Sequence, residues 1–228
     1  MSHLKRLRAP KSWPLLKRKG TKFIARPLPG PYGINKCITL NIILKDMLNY
    51  ARTTRDSRRI LNEGKILVNN MVRKSYKFPV SALDTLAMES LNEYYRVLYD
   101  NHGKFYLEKI KKDETETRLV KIKNKTLLKK NKTQLNFHNG TNLIVEKDHY
   151  KCGDSLLMVD KDIKKHLKFE KGAVVYLIGG KHKGRAGILE NIEPSSALVP
   201  GTITIKMQNE HITTKKEFAF IIDKPFTK

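Results

Sequence analysis

The sequence is short of cysteine, of acid and of long apolar runs, and each shortage closes a class of readings. Only Cys37 and Cys152 occur in 228 residues. No Cys-x-x-Cys or His-x-x-x-His pattern stands beside either, which excludes a disulfide framework or a tetrahedral zinc site as organising principle. Free thiols fit a reducing cytosol. No apolar stretch approaches the roughly 18–20 residues that cross a bilayer, and runs such as Ala173 to Ile178 are strand-sized. Asp and Glu number 22 against 46 Lys and Arg, a formal charge of +24 and a pI near 10.0. Such a chain repels itself unless it meets a polyanion, and repeated phosphate is the commonest. An ordinary metabolic enzyme is therefore not the expected class. Nucleic acid is the expected partner, with no membrane, cofactor, metal or small-molecule substrate implied.

What is present is unevenly distributed. Residues 1–45 hold eleven Lys and Arg and no acid, Asp46 being the first, and five of the nine prolines lie between Pro10 and Pro31. Prolines push the backbone toward extended conformations, so residues 1–40 are expected to be a basic extended arm, flexible until it meets RNA. They also break the amphipathic helix of an organellar transit peptide. Lys5, Arg6, Arg8, Lys11, Lys17, Arg18, Lys19 and Arg26 are candidate phosphate ligands. Trp13, Phe23 and Tyr32 among them could stack on splayed bases or pack the arm onto its own protein.

A second segment, 41–104, turns helical. Ile43, Met47 and Tyr50 share one stripe, predicting a helix over about 42–51. Thr54 is read as the N-cap of a second helix, Arg55 to Leu61, with Gly64 as its left-handed stop. Arg55, Arg58, Arg59 and Asn62 fall at i, i+3, i+4 and i+7, so three guanidinium groups share one face, with too few acids nearby to neutralise them. Lys65 to Val68, then Asn69-Asn70, then Met71 to Lys74 reads as a β-hairpin on a type I′ turn, which sets Lys65, Arg73 and Lys74 beside the arginine stripe. The outline resembles the helix-hairpin RNA-binding module shared by one bacterial small-subunit ribosomal protein, pseudouridine synthases and tyrosyl-tRNA synthetases.

The third segment, 105–168, is expected to be a central β-barrel-like domain of short strands and turns. A lysine run that includes Lys121, Lys123, Lys125, Lys129, Lys130 and Lys132 meets no acid between Thr117 and Val145, and is either a solvated loop or an RNA contact. In the last segment, 169–228, Gly179-Gly180-Lys181-His182-Lys183-Gly184-Arg185-Ala186-Gly187 joins two strand-like runs. Glycines 180, 184 and 187 allow sharp turning, and Lys181, His182, Lys183 and Arg185 place polar and cationic groups at the tip. This stretch resembles the KOW motif of SH3-like barrels. It lacks the Gly-Lys-Ser or Gly-Lys-Thr of a Walker loop.

Taken in order, arm, helix-hairpin module, β-rich centre and KOW segment resemble the archaeal and eukaryotic-type protein four family of the small ribosomal subunit. The resemblance is carried by His3-Leu4-Lys5-Arg6, Ala9-Pro10-Lys11, Trp13, Arg26-Pro27, Gly30-Pro31, Lys77-Phe78-Pro79-Val80, Tyr95-Arg96-Val97-Leu98-Tyr99-Asp100, Gln134-Leu135-Asn136, Gly153-Asp154 and the glycine-rich tip. Asn139 and Thr141 depart from the family's usual His-Asp-Gly-Arg stretch, leaving His138 as a turn residue. The resemblance implies an α+β multidomain protein, mostly β. It also implies a cytoplasmic, non-catalytic constituent of the ribosome that binds small-subunit ribosomal RNA and neighbouring ribosomal proteins. Two rivals are an accessory domain of an RNA-modifying enzyme, for which no catalytic domain has room, and a KOW-type transcription elongation factor.

Overall fold

The computed structural model describes residues 3–129, 132–146, 148–160, 162–193, 201–207 and 210–223. It is mostly β, and the chain divides into two compact units, Met1–Glu116 and Thr117–Lys228. The first unit runs β1 (Leu4–Lys5), β2 (Phe23–Ile24), β3 (Cys37–Thr39), α1 (Leu40–Ile42), α2 (Thr54–Asn62), β4 (Ile66–Val68), β5 (Met71–Val72), β6 (Pro79–Ser81), β7 (Thr85–Met88), β8 (Glu93–Tyr99), β9 (Phe105–Lys109) and α3 (Lys112–Glu116). Five of its strands make an antiparallel sheet in the order β5-β4-β7-β8-β9, while β1–β2 and β3–β6 are separate two-stranded ribbons.

The basic arm is not free. Trp13 is only 2% exposed, and its indole Nε1 donates to the Cys37 carbonyl at 2.7 Å. Ala9 is buried too, and the Phe105 amide donates to Ser12 O at 2.9 Å. The proline-rich stretches thus run along the unit and are pinned wherever an apolar side chain finds the core. The expectation of an extended arm without a packed core is corrected by that one large ring.

The first predicted helix is shorter than expected. It starts at Leu40 and widens over Ile43–Met47, where the Leu48 amide reaches back five residues to Ile43 O at 2.9 Å. Asn49, at φ 58°, then breaks it in the left-handed region. Leu40, Ile42, Ile43 and Leu44 are buried. The first sheet also continues past the expected boundary at 104: β9 pairs along β8 from Tyr95↔Lys109 to Tyr99↔Phe105, so Phe105–Lys109 belongs with the elements before it.

The second unit runs β10 (Thr117–Leu127), β11 (Thr133–Phe137), β12 (Asn142–Val145), β13 (Ser155–Val159), β14 (Asp162–Leu167), β15 (Val174–Leu177), β16 (Ala186–Ile192), β17 (Thr202–Lys206), β18 (His211–Lys215) and β19 (Ala219–Ile221). These form two five-stranded antiparallel sheets, β12-β11-β10-β13-β14 and β18-β17-β16-β15-β19. Period-two alternation sends Leu135 and Phe137 of β11 into one core with Val120, Ile122, Leu156 and Met158. It sends Ile203 and Ile205 of β17 into another with Val175, Leu177, Leu189 and Ala219.

Candidate nucleic-acid interface

The arginine stripe lies on α2, a helix whose start is fixed by a reciprocal cap. Asp56 N–H donates to Thr53 Oγ1 at 3.2 Å, and Thr53 N–H donates to Asp56 Oδ2 at 2.9 Å. The cap is thus Thr53, one residue before the one expected, because its oxygen is the one that reaches the third amide of the helix. The Thr53 amide, and after it the Thr53 hydroxyl, hold the Asp56 carboxyl below its ordinary value. Ser57 and Leu61 turn inward, and Arg55, Arg58, Arg59 and Asn62 are exposed on the opposite side. Arg58 is positioned further: its guanidinium carbon sits 4.4 Å from the Tyr76 ring centroid, and Nη2 donates to Tyr76 Oη at 2.9 Å.

The hairpin β4–β5 follows with Leu67↔Val72 and Val68↔Met71 in register. Asn69 and Asn70 have φ of 51° and 63°, both left-handed, as a type I′ turn requires. Lys65 and Lys74 are exposed, with Lys65 3.1 Å from Glu63. Arg73 is half-buried over the Phe78 ring at 4.5 Å.

Sequence reading missed what anchors this turn. Asn69 Nδ2 donates to Asp84 Oδ1 at 2.7 Å and its Oδ1 accepts the Thr85 amide at 2.9 Å. Asp84 is buried and also accepts from the Ser81 amide at 2.7 Å and from Tyr32 Oη at 3.4 Å. Burial pushes its carboxyl up to about 6, against the pull of those donors. The available signal was a lone carboxylate inside the otherwise uncharged run Pro79 to Met88.

In the arm, Lys5, Arg8, Lys11, Lys17, Lys19 and Arg26 are exposed. Arg6 Nε donates to Lys17 O at 2.5 Å and Arg18 Nη2 to Pro10 O at 3.1 Å, so both tie the arm together. Trp13 has no face to offer a base, and its place among RNA-stacking residues is corrected by its burial. Of the three arm aromatics, Phe23 is the exposed one, at 48%. Tyr32 turns inward to Asp84.

The lysine run of the second unit is largely a strand, not a loop. Lys121 on β10 is buried, and its Nζ donates to the carbonyls of Ala219, Glu217 and Lys216 at 2.6, 3.1 and 3.2 Å. Lys125 pairs with both carboxylate oxygens of Asp148 at 2.6 and 2.7 Å. Lys123 and Lys129 remain exposed, and Lys130 lies outside the described residues. His138 is a packing residue. Its ring meets Phe220 edge-on at 4.9 Å, its Nδ1 accepts the Lys121 amide at 3.2 Å, and burial, then the Lys121 charge, pushes the imidazole down to about 3.

At the glycine-rich tip, Gly180 and Gly184 have φ of 81° and 91°. A Cβ at Gly187 would stand 2.7 Å from Lys206 O, and one at Gly179 would stand 2.5 Å from the Phe218 ring. Close approach therefore accounts for two of these glycines and backbone direction for the other two. Lys181 and Arg185 are exposed, and His182 and Lys183 are half-buried. Arg185 lies 4.0 Å from Glu210. Among the described residues no group of three or more His, Cys, Asp or Glu could hold a metal ion, and no helix is long and apolar enough to cross a membrane.

Comparison with known proteins places these features. Residues 91–163 match the ribosomal family S4e and residues 2–34 match the RS4NT domain. Small ribosomal subunit protein eS4 of Archaeoglobus fulgidus is 38% identical over 224 residues, spanning 97% of this chain and 93% of that protein. Its counterpart in Methanocaldococcus jannaschii is 39% identical over 231 residues, spanning 96% and 93%. The crystal structure of the 30S ribosomal protein S4e from Thermoplasma acidophilum superposes with a TM-score of 0.71 at 28% identity, covering 82% of this chain and 95% of that one. Near-complete collinear matches at this identity, together with both family segments, establish that the chain belongs to the ribosomal protein S4e family.

Proposed function

We propose that the chain is a structural, non-catalytic constituent of the small ribosomal subunit, which binds and stabilises folded small-subunit ribosomal RNA through phosphate contacts and so supports translation. The observation that carries the reading is the exposed arginine stripe Arg55, Arg58 and Arg59 beside the basic hairpin, in a chain of net charge +24 that belongs to the S4e family. Guanidinium groups presented at helical spacing suit the regular phosphate array of an RNA helix better than a flexible lysine tail does. Lys5, Arg8, Lys11, Lys17, Lys19 and Arg26 extend that surface, and the tip cations Lys181, Lys183 and Arg185, with His182 among them, offer a separate one.

In this reading the helix-hairpin segment is the RNA-binding module of the first unit. The sheet β12-β11-β10-β13-β14 is the central β-barrel-like domain, and residues 169–228 form an SH3-like KOW barrel. Neighbouring ribosomal proteins complete the surroundings, and the place of action is the cytoplasmic ribosome.

With on the order of 8–12 phosphates neutralised, affinity for small-subunit RNA falls steeply with salt, by roughly 0.9 in log K per contact per decade. Titration of purified protein into that RNA at several salt concentrations tests this, with Arg55, Arg58 and Arg59 replaced together by Ala as the comparison. The triple variant stays folded, since Ala is a strong helix former on an exposed face, and it binds more weakly with a shallower slope. Salt-independent binding, or absence of the protein from sedimented small subunits, overturns the reading.

A further inference from the structure

One cavity of the first unit borders the phosphate-binding surface of the arm and shares Arg26 with it. It has a volume of about 280 Å³ and is walled by β1, β2, α1 and the approach to β6. We infer that it receives a single unstacked base of RNA, in a nucleotide whose flanking phosphates rest on the cations around it. The inference rests on the RNA-binding reading and gives it a single-stranded component.

Four observations converge. The size lies near the lower end of ligand pockets, about 300–1,000 Å³, so one ring system fits and an extended molecule does not. Phe23 lines it with its ring still 48% exposed. Among the described residues its ring is met by His3, tilted 42° at 5.1 Å between centroids, and by the Lys22 ammonium, 5.5 Å from the centroid. Such a half-open aromatic surface is what an unpaired base stacks on. The charge is one-sided: among the described lining residues Arg6, Arg26, Lys45 and Lys77 stand against the carboxylate of Asp46, which favours a ligand that carries negative charge. Finally, Asn41 lines it with a buried Oδ1 that has no hydrogen-bond partner. Rotation of the carboxamide about χ2, a broad torsion, offers a donor and an acceptor to a base edge, as Asn does for adenine. Inorganic phosphate would satisfy the cations and leave both the ring and the amide unused. A nucleotide uses all three.

The test compares two probes on the full chain, a short single-stranded oligoadenylate and an RNA duplex, both fluorescently labelled and titrated at one salt concentration. Phe23→Ala should lower affinity for oligoadenylate roughly 5- to 150-fold, the range of one lost base–aromatic stack. The salt slope and the duplex affinity should stay unchanged, and Phe23→Tyr should retain the wild-type affinity. Ultraviolet crosslinking of oligoadenylate to wild type should map to the peptide holding Phe23. Equal oligoadenylate affinity in wild type and Phe23→Ala overturns the inference, as does an equal loss on both probes. Wild type that binds duplex but not oligoadenylate overturns the cavity alone. Wild type that binds neither overturns the RNA-binding reading as well.

Discussion

Removing Trp13 is the sharpest probe of whether the basic arm is part of the folded protein before any RNA arrives. The indole is 2% exposed and its N–H reaches the Cys37 carbonyl, so truncation has two separable costs. Trp13→Ala loses the transfer free energy of the ring and opens a cavity, together about 3–5 kcal/mol. Trp13→Phe keeps much of the apolar volume and chiefly strands a buried carbonyl, about 1–3 kcal/mol. Against a total stability of about 5–15 kcal/mol, the alanine variant should show a large drop in urea midpoint by circular dichroism, with the phenylalanine variant between it and wild type. Trp13 is the only tryptophan of the chain, so wild-type fluorescence isolates this one contact. Free protein should emit at short wavelength and resist acrylamide quenching to the same degree as protein bound to ribosomal RNA. Proteases should cut residues 1–40 slowly in both states. Emission like that of free indole, full quenching without RNA, and unaltered stability of both variants would together refute the packed arm.

Three further outcomes follow from the geometry. Gly184→Val puts a β-branched residue at φ 91°, costing about 1–3 kcal/mol, and Gly187→Ala drives a Cβ to 2.7 Å from Lys206 O, costing about 1–3 kcal/mol by overpacking; thermal unfolding should register both, and unchanged midpoints would show that the tip has another geometry. Lys121→Met deprives three carbonyls of their common donor and should destabilise the second unit by at least about 1–3 kcal/mol, read as faster amide exchange at Ala219–Ile221 and unaltered exchange in the first unit. Asp84 has a folded-state carboxyl raised from 3.8 to about 6. The folded state therefore holds its proton longer than the unfolded chain does, and its contribution is fully present below about pH 4 and lost as pH rises through 6. Relative to Asp84→Asn, the wild type should lose about 2–3 kcal/mol between those limits, followed by Trp13 fluorescence in urea. A constant difference would mean that the carboxyl is not desolvated.

Whatever depends on near neighbours and on charge was legible in the order of the residues. The surplus of 24 positive charges pointed to a polyanion without any fold. The i, i+3, i+4 spacing of Arg55, Arg58 and Arg59 put them on one side of α2, because helical periodicity is local. Asn69-Asn70 specified the turn, since few residues accept two successive left-handed conformations. The collinear motifs carried the family. Tertiary structure alone decided which cations reach solvent and which are consumed. Lys121 and Lys123 are two residues apart in one lysine run, yet one is buried under three carbonyls and the other exposed. That choice depends on where Lys216, Glu217 and Ala219 arrive, almost a hundred residues later. Trp13 likewise reads as either a stacking or a packing residue until Cys37 supplies the carbonyl beside it. The helix cap moved from Thr54 to Thr53 because either threonine can cap, and only the entering backbone selects one. The cavity beside Phe23 was invisible for the same reason: its walls come from residues 3–77, and no local pattern records that they meet.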